Sequence, residues 1–467
     1  MKITLSLVLI VLSLWCKAQS ALYQANVEAQ ASVMGKNVPF WMRSNQFGSI
    51  PLSGTSGSIL AGGQKMYQSK DKKFFDWGAS VQARTNFGKK AEFILLEGYG
   101  KIRLGILEVK GGRSRENFGL ADTLLSSGNF AVSGNALGIP KLEISIPEFY
   151  SLPFAGKFFS FKGNYAHGWL GNVPIQFPYR QVDQAKTYLH QKSLYLRLGK
   201  PDAKTKVYLG LNDNVLWGNS KEIFSKNEFT LTPWQEYTYV ILSKKFEYSQ
   251  VGNHLGTVDL AVDHRFSQST VRFYHQSYFD KDALKHFANI SDGLTGISLT
   301  RKTESETFSV NRFVFEFLYT KNQAKNSVTS LQLLGYEDYY NNYIYTQGWS
   351  YKSVGLGTPF ITSRNDVRNE IPKLANEYFS NNRLLAFHTG MQGTAGNWEY
   401  TTKLSYSMNY GTYSTEKSFG KKSQFSGYIE ANRDIGNKLY LGLTAALDAG
   451  DLLNTTGGLL ISLKKKF

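Results

Sequence analysis

The sequence has one cysteine, a low share of charged residues and, after residue 20, no long apolar run. Its single cysteine, Cys16, excludes an intramolecular disulfide and a cysteine-based metal cluster. After residue 20 no apolar run approaches the ~20 residues that a transmembrane helix needs. Charged residues make up 19% of the chain, below the ~25% of ordinary soluble domains. Glycine (43), tyrosine (28) and phenylalanine (31) are numerous, so we expect a folded chain rather than a disordered one.

The first residues have the organisation of a secretory signal peptide. Lys2 precedes an apolar run, and Ala18 stands at the −1 position of a cleavage site. A lipoprotein signal would need a small residue before Cys16, whereas Trp15 stands there. We therefore predict a signal peptide over residues 1–18 and one mature domain over residues 19–467.

Export changes the meaning of the positive charge of the chain. The formal net charge is +17, which in a cytoplasmic protein would favour nucleic acid as the partner. Outside the cytoplasm the polyanions at hand are acidic polysaccharides and lipid phosphates. We therefore expect no nucleic-acid partner.

The mature chain alternates between apolar and polar residues with a period of two. In segment 77–87, Trp77, Val81 and Phe87 fall on one face, and Arg84 falls on the other. Such alternation is typical of a β-strand that separates two environments. The same pattern recurs in five further segments, at 258–266, 313–319, 398–410, 439–447 and 459–467.

A soluble β-sandwich would also alternate, but three features favour a transmembrane β-barrel. Segment 77–87 is ~33 Å long at ~3.3 Å per residue, and after a ~45° tilt it matches the ~25 Å apolar band of outer-membrane barrels. The polar face carries charges in mid-strand, such as Arg84, Asp259 and Glu316, which a sandwich core would not tolerate unpaired. The last strand ends on Phe467, which resembles the signal for barrel assembly.

The length of the chain predicts a barrel of about 18 strands, in the range of about 16 to 18, at ~10 residues per strand plus connections. A barrel of this width is a pore unless its lumen is filled. The long segments without alternation are candidates to fill it. We predict that these irregular or helical segments plug the lumen: 22–76, 113–157, 174–191 and 350–383.

Several blocks of sequence resemble a known family. These blocks read NVPFWMRSNQFG at 37–48, SGNAL at 133–137, KGNYAHG at 162–168, LHQKSLYLRL at 189–198, NDNVLW at 212–217, YYNNY at 339–343 and GTPF at 357–360. In their order and spread they resemble the capsule-assembly Wzi family of outer-membrane proteins. The resemblance extends from about residue 37 to the final strand.

The resemblance implies both a fold and a function. It implies an occluded 18-stranded barrel in the outer membrane of a Gram-negative bacterium. It also implies a lectin that attaches or organises capsular or extracellular polysaccharide at the cell surface, without being the export pore and without catalysis. No compact motif for glycan contact can be carried over, so the candidate binding residues come from their chemistry.

One segment combines many aromatic rings with amides. Aromatic rings stack on the C–H faces of sugars, and polar side chains bind the hydroxyl groups. Arginines nearby would pair with the uronate or phosphate groups of an acidic glycan. The alternative is that the rings pack within the plug and the arginines are solvated. The candidate glycan-binding residues are Tyr339, Tyr340, Tyr343, Tyr345, Trp349, Tyr351, Arg364 and Arg368.

A second set of polar residues is expected in the lumen, where they would line the wall or fix the plug. This set comprises Arg43, Asn45, Gln46 and His190.

The sequence offers little support for metal or catalytic chemistry. No two histidines stand at the i, i+4 spacing of a helical zinc site, so we expect no metal and no cofactor. His190 and Ser193 could form a hydrolytic pair, but their opposite parity places them on different faces of a strand. Asp259 and Asp263 share a face at ~13 Å, beyond the separation of glycosidase carboxylates. We therefore predict a protein that is not an enzyme.

The predicted partners follow from these interpretations. They are a capsular or surface polysaccharide that we expect to be acidic, the lipids of the outer membrane and the barrel assembly machinery. A closed barrel has no free edge, so a monomer is expected. The alternative function is a porin-like channel for small solutes, which an unplugged barrel would equally support.

Overall fold

The computed structural model describes residues 22–52, 54–68, 74–225, 227–247, 249–302, 307–325 and 336–467. The predicted signal peptide, with Cys16, lies outside the described residues and stays a prediction.

Eighteen antiparallel strands form one closed sheet in the described part of the chain. Each strand pairs with its neighbours in sequence order, and β1 pairs with β18 from Asn26 opposite Lys466 to Met34 opposite Gly458. This closure leaves no free edge and confirms the predicted fold class. The strands are β1 Tyr23–Met34, β2 Ser56–Lys65, β3 Phe75–Phe87, β4 Glu92–Leu104, β5 Leu107–Arg113, β6 Lys141–Ser151, β7 Phe159–Pro174, β8 Gln184–Leu198, β9 Thr205–Trp217, β10 Asn253–Arg265, β11 Ser269–Phe279, β12 Gly293–Arg301, β13 Phe308–Tyr319, β14 Leu384–Ala395, β15 Trp398–Asn409, β16 Lys422–Asp434, β17 Leu439–Gly450 and β18 Thr456–Lys466.

The two ends of the barrel differ in the length of their connections. At the short-turn end, where β1 begins and β18 ends, connections such as 105–106 and 396–397 have two residues. At the opposite, long-loop end lie the longest connections, 35–55, 114–140, 218–252 and 320–383. Outer-membrane barrels show this same asymmetry, with short turns in the periplasm and long loops outside.

Helices are few and short. They are α1 Phe40–Arg43, α2 Ser220–Phe224, α3 Pro233–Ile241 and α4 Glu416–Phe419, with 3-10 turns at Ala155–Lys157 and Ala283–His286. Among the described residues, none of these helices has the length and apolar character to cross a membrane.

The alternation predicted from the sequence sorts the strands into two faces. Val81 is 56% exposed on the outer wall, whereas Arg84 of the same strand is 4% exposed and faces the lumen. Arg84 donates to Asn86 of β3 at 2.7 Å and to Ser58 of β2 at 2.9 Å, so its charge is buried within polar contacts. The outer wall is therefore apolar and the inner wall polar, as predicted.

The predicted plug is present, although its boundaries differ from the prediction. Trp41 of α1 donates to Ser405 of β15 at 3.0 Å, and the backbone N–H of Phe130 donates to Gln276 of β11 at 2.8 Å. Parts of the segments 35–52, 114–140 and 336–383 thus lie inside the barrel. Their rings, including Trp41, Phe130 and Trp349, form its buried core.

Three of the segments predicted to be irregular contain strands. Residues 22–76 include β1 and β2, residues 113–157 include β6, and residues 174–191 include the first half of β8. In β1 and β2 the outer face carries small residues such as Ala29 and Ala31, so the contrast between faces is weak. The segment 350–383 is irregular as predicted, apart from two short ladders that pair Ser350–Tyr351 with Val354–Gly355 and Thr362–Ser363 with Phe379–Asn381.

The structure corrects the predicted place of His190. His190 lies opposite Val215 on β9, which in turn lies opposite His254 on β10, and this row belongs to the outer wall. The ring is buried because α3 packs over this part of the wall, with Tyr237 6.1 Å from His190 between ring centroids. Its neighbour Gln191 faces the lumen instead and donates to Asn214 at 2.7 Å. His190 therefore does not line the lumen.

Candidate functional site

A polar cavity opens at the long-loop end of the barrel. Its volume is about 490 Å³, and it lies between Lys245 and the segments 249–254, 280–286 and 337–344. Carboxylates and amides dominate its wall, among them Asp280, Glu337, Asp338, Asn341 and Asn342.

Glu337 organises one wall of the cavity. Its carboxylate accepts backbone N–H groups of Asp280 at 2.9 Å, Lys281 at 2.7 Å and Ala283 at 3.0 Å. These three bonds fix the turn that follows β11 against the plug. Burial raises the pKa of Glu337 to about 7, although the same N–H groups oppose the shift.

Two further carboxylates lie beside Glu337. Asp338 accepts the side-chain amide of Asn382 at 2.7 Å and that of Asn341 at 3.3 Å. Asp280 is only 6% exposed, and none of the described residues donates a hydrogen bond to its carboxylate. Burial and the charge of Glu337 raise the pKa of Asp280 well above its usual value.

Three aromatic rings, two of them exposed, form a rim next to the cavity. Tyr343 is 56% exposed and Tyr179 is 76% exposed. Phe177 lies between them, with its ring centroid 6.2 Å from Tyr343 and 6.0 Å from Tyr179. Gln176 ties the two loops together, since its N–H donates to the carbonyl oxygen of Ile344 at 2.8 Å and its side chain donates to that of Asn342. Tyr343, Tyr179 and Phe177 are called the aromatic rim below.

Most rings of the predicted glycan-binding segment are not on the surface. The structure favours the alternative, packing within the plug, for Tyr339, Tyr340, Tyr345, Trp349 and Tyr351, all of which are buried. The polar atoms of two of them are also engaged within the protein: the hydroxyl of Tyr339 donates to Asp292 at 2.8 Å, and the indole of Trp349 donates to the carbonyl oxygen of Ala131 at 2.7 Å. A sugar cannot stack on these rings in this conformation. Tyr343 differs from these five in being exposed.

The two predicted glycan-binding arginines contact the backbone of the protein. Arg364 donates to the carbonyl oxygen of Leu374 at 2.7 Å. Arg368 donates to the carbonyl oxygens of Leu453 at 2.8 Å and Gly450 at 2.5 Å, which fastens the plug to the β17–β18 connection. Neither side chain belongs to the cavity.

Two residues of the predicted lumen set, Arg43 and Asn45, join segments of the plug to each other, whereas Gln46 contacts its own turn. Arg43 forms an ion pair with Asp366 at 2.6 Å. The backbone N–H of Asn45 donates to Asn135 at 3.1 Å, and the carbonyl oxygen of Gln46 accepts the hydroxyl of Ser49 at 2.7 Å. Of the two roles predicted for this set, the structure supports fixing the plug for Arg43 and Asn45.

Sequence reasoning missed most of the site. Tyr179 and Phe177 fall in a segment that was predicted, from its length, to plug the lumen. Glu337 and Asp338 directly precede the aromatic segment that was predicted to bind glycan. The only available signal was the acidic pair beside the amides at 341 and 342. No group of three His, Cys, Asp or Glu residues among those described is placed to hold a metal ion.

The hydrolytic pair considered from the sequence does not assemble. His190 faces the outer wall under α3, whereas Ser193 faces inward and donates to Asn164 of β7. The prediction that they lie on opposite faces is confirmed.

A closed, even-stranded antiparallel barrel with an apolar outer wall and a polar, filled lumen defines the class of outer-membrane β-barrels. This barrel architecture indicates that the protein is located in the outer membrane. The family model described as capsule assembly protein Wzi matches residues 23–397, and the chain belongs to this family. None of the curated proteins compared matches the chain in sequence.

Solved structures with the same fold include Wzi of Escherichia coli, described as an outer membrane protein involved in group 1 capsule assembly and as a carbohydrate-binding β-barrel. It is 11% identical over 94% of this chain and 83% of that chain, with a TM-score of 0.56. OccAB2 of Acinetobacter baumannii is 8% identical over 95% and 98% of the two chains (TM-score 0.48), and OprD of Pseudomonas aeruginosa is 9% identical over 96% and 93% (TM-score 0.47). At 11% identity the likeness to Wzi of Escherichia coli concerns the fold alone.

Proposed function

We propose that this protein binds capsular or extracellular polysaccharide at the cell surface and helps to attach or organise it, without catalysis. The observation that carries the proposal is the aromatic rim beside a polar cavity at the long-loop end of a filled barrel. In outer-membrane barrels the long loops face the outside, so the rim and the cavity would meet a polymer that surrounds the cell.

The chemistry of the site suits a sugar. Tyr343 and Tyr179 offer ring faces for the C–H groups of a pyranose. The side-chain nitrogen of Asn342 offers a donor for its hydroxyl groups, since among the described residues only the oxygen of this amide is used, by the N–H groups of Ile344 and Tyr345. The description of Wzi of Escherichia coli as carbohydrate-binding supports the same function for a member of its family.

The competing function is a channel for small solutes. The plug opposes it, because the rings of Trp41, Phe130 and Trp349 occupy the lumen. Trp41 and Phe130 are hydrogen-bonded to the wall, and Trp349 is hydrogen-bonded to the plug residue Ala131. In planar bilayers the purified protein should therefore show no steady conductance. A steady open conductance would favour the channel.

The test of the function compares polysaccharide on cells with polysaccharide shed into the medium. Deleting the gene should lower the bound fraction while the total stays level, and replacing Tyr179 and Tyr343 together by alanine should do the same. The matched control is Phe154→Ala, since Phe154 is an equally exposed ring at the short-turn end. If the double variant retains the polymer as the parent does, the rim is not the binding site. If the deletion changes neither fraction, the proposed function is refuted.

The remaining partners are proposed on the same basis. The exposed side chains of β18, such as Leu459 and Ile461, would contact the lipids of the outer membrane. The N–H of Phe467 donates to the carbonyl oxygen of Ala25 at 2.9 Å, so the terminal residue is part of the sheet that the barrel assembly machinery would close. We propose a monomer, because β1 and β18 complete the sheet within one chain.

A further inference from the structure

The cavity contains a buried carboxylate that lacks a partner. The three neighbouring carboxylates differ in this respect: Glu337 accepts three backbone N–H groups and Asp338 accepts two amides. Asp280 accepts no hydrogen bond from the residues that the structure describes, although it is 6% exposed and forms part of the cavity wall. An unpaired buried carboxylate is costly, and the open side of Asp280 is the cavity.

The cations near the cavity are committed to other groups. Lys245 pairs with Asp282 at 2.8 Å. The ammonium group of Lys281 donates to the carbonyl oxygen of Tyr336 at 2.9 Å. Neither forms an ion pair with Asp280. The carboxyl groups of Asp280, Glu337 and Asp338 therefore outnumber the cations that could pair with them, and burial together with the charge of Glu337 raises the pKa of Asp280.

This arrangement selects among the sugars of a polysaccharide. A uronate would bring a further carboxylate beside Asp280 and Glu337, and like charges repel strongly where water is excluded. An ammonium group would instead form the charge-assisted hydrogen bond that Asp280 lacks. A hydroxyl group of the same sugar would reach the side-chain nitrogen of Asn342, and its ring would lie against Tyr343. The volume of about 490 Å³ falls within the ~300–1,000 Å³ of small-molecule pockets.

Building on the proposed polysaccharide function, we propose that the cavity binds an amino sugar of the polymer, with its ammonium group on the carboxylate of Asp280. The net charge of the chain predicts an acidic polymer, with Arg364 and Arg368 as its binding residues. Neither arginine lines this cavity, which therefore differs from the predicted site.

The test is equilibrium binding of three tetrasaccharides to the full-length protein in detergent. The probes are the tetramers of glucosamine, of N-acetylglucosamine and of galacturonate. The glucosamine tetramer should bind at least about 10-fold more tightly than the other two, because a hydrogen bond to a charged group is worth ~1.5–3 kcal/mol, or ~10–100-fold in affinity. This comparison needs no variant and stands even if a substitution disturbs folding.

Asp280→Asn keeps the shape of the side chain and removes its charge. It should remove the preference for the glucosamine tetramer and leave binding of the N-acetylglucosamine tetramer within about 2-fold, since a neutral sugar loses no ion pair. The control is Asp451→Asn, at an exposed carboxylate of the same barrel end, which should change neither.

The outcomes separate the inference from the function on which it rests. If the galacturonate tetramer binds as well as the glucosamine tetramer, or if Asp280→Asn keeps the preference, the amino-sugar assignment is overturned while polysaccharide binding stands. If none of the three tetramers binds and the cell-surface polymer also fails to bind, the proposed function fails as well.

Discussion

Glu316 is expected to hold the plug to the barrel wall. It lies on β13, is 0% exposed and faces the lumen. Its carboxylate accepts the hydroxyl of Ser126, the backbone N–H of Ser127 and the hydroxyl of Tyr274, each at 2.6 Å. Two of these donors belong to the plug segment 114–140 and the third to β11, so one side chain joins plug and wall.

The substitution Glu316→Gln keeps the size of the side chain and changes one oxygen to an amide. One oxygen accepts both hydroxyls, and the other accepts the N–H of Ser127. The amide can turn its oxygen toward that N–H and its nitrogen toward the two hydroxyls, which then accept instead of donating. The three donors lose their charged acceptor, so we expect a loss of about 1.5–3 kcal/mol in plug attachment, which is the value of one hydrogen bond to a charged group.

The assay is conductance in planar bilayers together with protease cleavage of the plug. Both the variant and the parent should insert as barrels. The variant should open intermittently to ions and be cleaved within segment 114–140, whereas the parent should neither conduct nor be cleaved there. Glu399→Gln is the matched control, because Glu399 is an exposed carboxylate at the start of β15. If Glu316→Gln conducts and is cleaved no more than this control, Glu316 does not hold the plug and the reasoning is wrong.

Two further predictions concern the plug and the cavity. Burial raises the pKa of Glu337 from 4.5 to about 7, so the contribution of Glu337 to stability is fully present below pH 4.5 and is lost as the pH rises through 7. Amide exchange of Lys281 and Ala283, corrected for intrinsic rates, should therefore be faster at pH 8 than at pH 5. A pH-independent rate would contradict this prediction. Tyr340→Phe removes a buried hydroxyl that donates to Phe130 and accepts the N–H of Thr358; it should lower thermal stability by ~1–3 kcal/mol yet leave polysaccharide retention unchanged, and reduced retention at full stability would return Tyr340 to the binding site.

The barrel could be predicted because its constraint is local and repeated. Each spanning strand must turn one face to lipid and the other to the lumen, so alternation in segments such as 398–410 reports the face of every residue. The alternation did not identify β1 and β2 as strands, because alanine and glycine on the outer face weaken the contrast between the two faces. His190 was misplaced for a related reason: parity assigns it correctly to the face opposite Gln191, but the sequence does not reveal that α3 covers this part of the outer wall.

The site could not be predicted because its constraint is long-range. The segment around Tyr339 has the composition of a sugar platform, and the same composition suits a plug that must fill volume and satisfy polar walls. Which rings reach the surface depends on contacts between residues far apart in sequence, such as Trp349 with Ala131. Tyr343 and Tyr340 are three positions apart, yet one is exposed and the other buried.

The comparison of Glu316 with Asp280 separates structural from ligand-binding carboxylates in this barrel. Both are buried and both belong to the boundary between wall, loops and plug. Glu316 is enclosed by three donors at 2.6 Å and adjoins packed side chains, so its bonding capacity is used within the protein. Asp280 has no donor among the described residues and adjoins a cavity of about 490 Å³. Since the plug elsewhere supplies a partner for most of its buried polar groups, a carboxylate without one beside an open cavity is where a ligand would complete the network.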